Sequence, residues 1–279
     1  MITEYKKHFE KEVEKLLKKY PYYIQWDDTA CRRLVAIKGN KVVGIGSLWS
    51  NTIHPHREYL GIYVTPDFRR RGIATELYKQ LACVSPTKNF QGTVQSQDTS
   101  AVSFLEKYGF YLVRKSFTPQ LMERKYRVQS ERNTNYYSYN ELSKNQSFEL
   151  IKIQMKNYKD FHYSINPLNE DLSIEKWRGL ILEDLDQQFS YAYVIEGKVT
   201  AYILCYKTDN KDQIEIGYIG GREVDRLENY LSFYESCLNK IFHQFEKVYI
   251  EADDVDPFAF TVLNLFEYDK NKSFDTYVN

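Results

Sequence analysis

Residues 64–75 of this sequence read VTPDFRRRGIAT, an apolar strand end followed by a turn, three arginines and a glycine. The apolar residues after the glycine have helical spacing, so the arginines stand at the start of a helix. The first turn of a helix has about four backbone N–H groups without intrahelical acceptors, and it carries a partial positive charge. Gly72 lets the backbone approach a ligand closely. This stretch therefore predicts a site for an anion such as a diphosphate.

Strands and helices alternate around this turn. Two β-rich runs on either side of Gly39–Asn40 predict a hairpin, and residues 58–64 predict a strand. Ile73, Leu77 and Leu81 recur at four-residue spacing and predict the helix that follows the arginines. The other elements predicted for the first half are a charged amphipathic helix at 1–20, strands at 91–97, 111–117 and 121–128, and a helix that begins at residue 99 and ends at Gly109.

The second half of the chain repeats this order. Glu215 corresponds to Glu58 at an offset of 157 residues, and Asp256 corresponds to Asp98 at an offset of 158. Three separate elements match in the same order, which favours a duplication over chance. A long amphipathic helix follows the repeated strand, with its apolar stripe at Leu227, Leu231, Tyr234, Leu238, Ile241, Phe242 and Phe245.

The order of elements indicates a mixed α/β fold with a partly antiparallel sheet in each half. We predict two domains, residues 1–130 and 131–279. The segment 129–147 is polar and has few aliphatic residues, so its first part is predicted to be a linker between them.

Composition narrows the classes of function. The chain has 38 basic and 38 acidic residues, and this balance argues against a protein that binds nucleic acid through bulk charge. The four cysteines are far apart, which is typical of free thiols in a reducing compartment. No apolar run approaches the roughly 20 residues that cross a bilayer. We therefore expect a cytoplasmic protein that does not bind a membrane, with no metal site.

The strand, turn and helix resemble the acetyl-CoA-binding core of the GNAT superfamily of N-acetyltransferases. The family signature of Arg or Gln, two residues, Gly, one residue and Gly or Ala is similar to Arg69-x-x-Gly72-x-Ala74 here. The downstream stretch DTSAVSFLEKYGF resembles the next motif of the family. The resemblance covers about residues 30–128 well and the second half only in outline. It implies two GNAT-like folds in tandem, of which the second is degenerate.

The resemblance also implies which residues bind acetyl-CoA, the acyl donor. The pantetheine arm is expected along the strand at Ile62, Tyr63 and Val64, and Asp98 stands where the family often has an asparagine that contacts the donor. The diphosphate is expected on the turn and first helical residues, Arg69, Arg70, Arg71, Gly72, Ile73, Ala74 and Thr75.

Acetyl transfer to an amine requires a base, because an alkyl amine is protonated at neutral pH. Glu58 is the first candidate, since it lies on the strand that leads to Val64, where family members often have a catalytic glutamate. An ordinary carboxylate at the strand entry is the alternative. His54 and His56 are second candidates because histidine titrates near neutrality, although both could be surface residues.

The acid that protonates the leaving thiolate is less evident. The position where the family usually has a tyrosine is occupied by Leu105. Tyr108 is nearby, but it is about 300° further around the helix. Tyr108 or another tyrosine could take this role, or the thiolate could leave without an acid, because thiols are good leaving groups.

The repeated strand in the second half is followed by REVDRLENYL, which lacks the signature. Glu223 and Asp225 would repel a diphosphate, so we predict that this half does not bind coenzyme A and instead shapes the acceptor cleft or replaces a dimer partner. The favoured function is N-acetylation of a primary amine on a small molecule or peptide, by a monomer or a homodimer, with the monomer favoured. The alternatives are an acyl-CoA-binding or regulatory protein without turnover, and a transferase that uses another acyl donor or aminoacyl-tRNA.

Overall fold

The computed structural model describes residues 1–20, 22–122 and 135–279, which form two mixed β-sheets with helices packed against them. In spatial order, the first sheet contains β1 (Ile2–Glu4), β2 (Arg32–Lys38), β3 (Lys41–Trp49), β4 (Glu58–Val64), β5 (Phe90–Gln95), β14 (Phe274–Val278), β6 (Tyr111–Phe117) and β13 (Ala252–Asp253). The second sheet contains β7 (Gln120–Leu121), β12 (Lys247–Ile250), β11 (Gln213–Gly221), β10 (Lys198–Lys207), β9 (Tyr191–Ile195) and β8 (Tyr136–Ser138). This architecture confirms the predicted mixed α/β class.

Helices cover both sheets. They are α1 (Glu10–Leu17), α2 (Ile73–Val84), α3 (Thr99–Lys107), α4 (Lys144–His162), α5 (Ile174–Leu182), α6 (Leu231–Gln244) and α7 (Pro257–Leu263). The predicted apolar stripe of α2 is confirmed, because Ile73, Leu77 and Leu81 are all buried. The hairpins at Gly39 and Gly197 are confirmed, and both glycines have positive φ angles.

Two predicted elements differ from the observed ones. Residues 1–20 do not form one helix, because Ile2–Glu4 pair with β2 as an edge strand before α1 begins. The predicted strand at 121–128 contributes Gln120–Leu121, and its remainder, the domain boundary and the first part of the predicted linker lie largely outside the described residues. Helices α4 and α5 had no sequence prediction.

The two sheets exchange strands. β14, from the second half of the chain, lies between β5 and β6 of the first sheet and is antiparallel to both. Conversely, β7 from the first half pairs with β12 in the second sheet. Tyr277 of β14 packs into the same hydrophobic cluster as Leu77 and Leu105. Each sheet is therefore completed by a segment from the other half.

The parallel pair of β4 and β5 opens along its length. Only Glu58 with Phe90 and Tyr59 with Gln91 are paired, although β4 continues to Val64. Past Tyr59 the two strands diverge, while β4 remains paired with β3 as far as Val64. The sheet thus contains a gap, called here the β4–β5 opening.

Replacement of Tyr277 tests the strand exchange. Tyr277 is 5% exposed, so Tyr277→Ala should reduce the free energy of unfolding by about 3–5 kcal/mol. Hydrogen exchange followed by mass spectrometry should show faster exchange in β5, because its partner strand is loosened. Tyr111→Ala, on β6 at a side chain that is 56% exposed, is the control and should change little. Unchanged protection of β5 in Tyr277→Ala would contradict the role given to β14.

Candidate active site

The turn between β4 and α2 leaves backbone donors free. Arg70 and Gly72 have φ angles of 58° and 78°, so the chain turns twice through the left-handed region before α2 begins. No side chain caps the N-terminus of α2. In the described part of the chain, the amides of the first turn have no hydrogen-bond acceptor. These donors and the partial positive charge of the helix end can bind an anion.

The three arginines of this turn point in different directions. Arg69 donates from Nε to the backbone oxygen of Val64 at 3.0 Å, and its guanidinium lies 5.8 Å from the ring centroid of Tyr63. The guanidinium of Arg71 lies over the ring of Phe68 at 5.2 Å. Arg69 and Arg70 line the adjacent cavity, and Arg71 does not. Two of the three predicted arginines are therefore close to the anion site.

A cavity of about 700 Å³ extends from this turn into the β4–β5 opening, and we call it the splay cavity. It is lined by every predicted donor-binding residue except Arg71: Ile62, Tyr63, Val64, Arg69, Arg70, Gly72, Ile73, Ala74, Thr75 and Asp98. Asp98 has a structural part as well, because it caps α3 by accepting from the amide of Ala101 at 3.0 Å. The hydroxyl of Tyr22 donates to the same carboxylate at 3.3 Å.

A second cavity of about 490 Å³, the interface cavity, lies between the two halves. The first half contributes residues that include Trp49, His54, Tyr59, Gln91 and Arg114, and the second contributes Tyr158, His162, Ile165, Asn166 and Phe274. The two cavities share four lining residues, Tyr20, Tyr22, Leu60 and Thr93, so they meet at the β4–β5 opening.

Asn166 lines the interface cavity and has one unpaired side-chain oxygen. Its side chain is almost fully buried, and Nδ2 donates to the hydroxyl of Tyr59 at 3.4 Å and to Oε1 of Gln91 at 3.3 Å. Oδ1 has no hydrogen-bond partner among the residues that the structure describes. A buried acceptor without a donor is costly, so this oxygen is suited to bind an N–H group inside the cavity.

His54 connects the two halves through both ring nitrogens. Nδ1 lies 2.6 Å from the backbone oxygen of Asn166 and Nε2 lies 3.0 Å from the hydroxyl of Tyr158. Burial lowers the pKa of His54 and raises that of Tyr158, so both groups are neutral near pH 7. The carbonyl can only accept, so Nδ1–H donates to it and Nε2 accepts from the Tyr158 hydroxyl.

A third cavity of about 290 Å³ adjoins the interface cavity and shares Arg114, Tyr158 and His162 with it. We call it the acidic cavity because four carboxylates line it, those of Glu215, Glu251, Asp253 and Asp256. Glu251 keeps an exposed surface, but desolvation by the surrounding atoms raises its pKa, and nearby Asp253 adds to that effect. Burial also raises the pKa of Asp256 to about 6, against its capping bonds to the amides of Phe258 and Ala259.

Asp253 differs from the other three carboxylates because it is paired with basic side chains. His162 Nε2 and Arg114 Nη1 each lie 3.1 Å from Oδ2, and the hydroxyl of Ser116 donates to Oδ1. Burial alone would raise the pKa of Asp253, but these hydrogen bonds and charges outweigh it and lower the pKa. Asp253 is therefore ionised at neutral pH and neutralises part of the local positive charge.

The two predicted catalytic residues do not reach the cavities. The carboxylate of Glu58 is buried, where it accepts hydrogen bonds from the hydroxyls of Ser85 and Thr87, and Glu58 lines none of the three cavities. Glu58 belongs to the part of β4 that is still paired with β5, so the strands are closed there. Tyr108 donates to the hydroxyl of Thr75 at 2.9 Å and supports the first turn of α2.

Of the two histidine candidates, His54 lines the interface cavity and His56 is exposed. Asn166, Tyr158 and His162 are not predicted from the sequence. They belong to α4 and the loop after it, and no local pattern marks them. Their contacts with His54 and Asp253 join residues about 90 to 110 positions apart.

Two further properties concern metals and membranes. Across residues 1–20, 22–122 and 135–279, no group of three or more His, Cys, Asp or Glu side chains is arranged to hold a metal ion. None of the helices in that part of the chain has the length and apolar character needed to cross a bilayer.

Comparison with known proteins relates this geometry to one family. Residues 2–110 match the model of the Acetyltransferase (GNAT) family. No curated protein matches the chain by sequence. Solved structures with a similar fold include a tandem GNAT protein from the clavulanic acid biosynthesis pathway, which is 12% identical, with 100% of this chain and 98% of that chain covered and a TM-score of 0.58.

Two bacterial structures are also similar. A GCN5-related N-acetyltransferase from Sphaerobacter thermophilus is 12% identical, with 95% of this chain and 84% of that chain covered and a TM-score of 0.60. A GNAT-family acetyltransferase from Colwellia psychrerythraea is 9% identical, with 100% and 98% covered and a TM-score of 0.53. At these identities the likeness is one of fold, and it extends over both halves of the chain.

The raised pKa of Asp256 makes a prediction about stability. A carboxyl group whose folded pKa exceeds its unfolded value of 3.8 binds more protons when folded, so its contribution to stability is lost as the pH rises from about 4 to 6. Asp256→Asn keeps a capping oxygen and removes the charge, so it should be stabilising at pH 8 by up to about 3 kcal/mol. Urea unfolding at pH 4.5 and 8 measures this. An equal effect at both pH values would contradict the assignment.

Proposed function

Because residues 2–110 match the model of the GNAT acetyltransferase family, we propose that the protein transfers an acetyl group from acetyl-CoA to a primary amine. The donor binds in the splay cavity and the acceptor binds in the interface cavity. One observation carries this proposal: the two cavities meet at the β4–β5 opening, where Tyr20, Tyr22, Leu60 and Thr93 line both. An amine can therefore approach a thioester from the opposite side of the sheet.

The donor is held by main-chain groups and two arginines. Its diphosphate accepts hydrogen bonds from the free amides at the start of α2, and Arg69 and Arg70 add charge. The pantetheine arm lies beside Ile62 and Val64, in the gap of the sheet that the splay cavity enters. These residues are suited to a long, bent donor with an anionic end and a thin polar arm.

The acceptor amine must lose a proton before it attacks. Asn166 Oδ1 accepts a hydrogen bond from the amine and orients it. The amine proton passes to the oxygen of Tyr158, whose own proton moves to Nε2 of His54. The imidazolium that forms keeps its Nδ1–H bond to the carbonyl of Asn166. His54 thus replaces Glu58 as the proposed base.

The transfer itself forms one bond and breaks another. The amine nitrogen bonds to the thioester carbonyl carbon, the C–S bond breaks, and the sulfur leaves as a thiolate. The hydroxyl of Tyr20 donates a hydrogen bond to this thiolate. Tyr20 lines both cavities, and burial raises its pKa, so the hydroxyl keeps its proton. A hydrogen-bond donor suffices here, because a thiol is a good leaving group.

The second candidate function is acyl-CoA binding without turnover. Two observations favour it: Leu105 stands where the family usually has a tyrosine, and the Glu58 carboxylate is bound to Ser85 away from the cavities. The two functions differ in one measurement. Release of free thiol from acetyl-CoA in the presence of amines is expected of the enzyme and not of the binding protein.

The relay through His54 can be tested by substitution. His54→Gln should lower kcat with a panel of primary amines by on the order of a hundredfold, because the base is lost. His56→Gln changes an exposed histidine two positions away and should keep full activity. Thiol release with saturating acetyl-CoA measures both variants. Full activity in His54→Gln would remove His54 from the mechanism.

The anion site has a matched pair of glycines. Gly72→Glu puts a carboxylate at the proposed diphosphate site and should weaken acetyl-CoA binding by about tenfold or more. Gly197→Glu introduces the same charge at a nearly equal φ angle, 76° against 78°, in the hairpin of the second half. Calorimetric titration with acetyl-CoA should separate the two. Equal affinities in both variants would overturn the proposed site.

A further inference from the structure

The acidic cavity is the counterpart of the splay cavity in the second half. Leu60, Asp98 and Ala101 line the splay cavity, and the residues that correspond to them by the repeat, Gly217, Asp256 and Ala259, line the acidic cavity. The duplication has therefore kept a cavity at the position where the first half would bind the donor. The residues that line the acidic cavity indicate which class of ligand it can bind.

The carboxylates of this cavity are only partly neutralised. Asp253 is held by Arg114 and His162, whereas neither Glu215 nor Glu251 has a basic group within ion-pair distance among the described residues. A diphosphate would be repelled by this lining. A cation would compensate the remaining negative charge.

The walls of the acidic cavity also suit an ammonium group. Tyr158, Tyr206 and Tyr218 line it, and aromatic rings attract cations through their π faces. A ligand with alkyl carbons next to its charge can contact these rings along its length.

The acidic cavity continues into the proposed acceptor site. Arg114, Tyr158 and His162 line both it and the interface cavity, and the charge of Arg114 at this junction is paired with Asp253. Asn166 lines the interface cavity, and its buried Oδ1 has no donor within the described ranges. The joined space therefore has a hydrogen-bond acceptor in the interface cavity and carboxylates without basic partners in the acidic cavity.

We propose that the acceptor is an aliphatic diamine or polyamine, with the reacting amine at Asn166 and a distal ammonium group between Glu215 and Glu251. This deepens the proposed function and rests on it for the reacting end. The carboxylates of the distal site all belong to the second half, and the site can be tested without catalysis. The second half then selects the substrate instead of binding a donor.

The test compares cadaverine with pentylamine, which has the same carbon chain and lacks the distal ammonium. The wild-type protein should have a KM for cadaverine at least tenfold lower than for pentylamine. Glu251→Gln should raise the KM for cadaverine about tenfold and leave that for pentylamine unchanged. Glu246→Gln, at an exposed carboxylate outside the cavity, should leave both unchanged. Thermal unfolding confirms that each variant is folded.

Calorimetric titration of the wild-type protein and Glu251→Gln with cadaverine, without acetyl-CoA, separates this inference from the proposed function. Cadaverine binding that is lost in Glu251→Gln supports the distal site even if no amine is acetylated. Equal KM values for the two amines, or equal cadaverine affinity in both proteins, would overturn the proposal. Binding of Mg²⁺ at this site with no binding of cadaverine would overturn it as well.

Discussion

The antiparallel pairing of β14 with β5 and β6 is the constraint on which the rest of the structure depends. It fixes one side of β5 for five residues, while the other side is paired with β4 at only two positions. β5 can therefore diverge from β4 without losing its place in the sheet. The β4–β5 opening, the splay cavity and its contact with the interface cavity all follow from this divergence.

The two halves have kept one architecture and changed its chemistry. In the first half, a turn rich in arginine leads into α2 and leaves its amides free. In the second half, Glu223 and Asp225 stand at the corresponding place, and the acidic cavity is lined by carboxylates. The repeated framework is apolar and is set by packing. The lining of each cavity depends on a few polar side chains, which can change without disturbing the core.

The anion site could be predicted because its parts are adjacent in sequence: a strand end, a turn, a glycine and a helix start. The interface cavity could not, because Asn166 and Tyr158 meet His54 only through the packing of the two halves. Glu58 is a candidate from the sequence because it lies on the strand that leads to Val64, but its buried carboxylate accepts hydrogen bonds from Ser85 and Thr87. The position of β14 in the first sheet is also not predictable, because the residue pattern of a strand does not specify which strands it pairs with.

The strand exchange links the active site to the order of synthesis. Until residues 274–278 leave the ribosome, the first half has an open slot between β5 and β6, and the edges of both strands lack their hydrogen-bond partners. While more than half of the chain is being translated, the exposed edges of β5 and β6 must not pair with an incorrect strand. A chain released early would carry the whole turn between β4 and α2 and still lack the completed sheet that supports it.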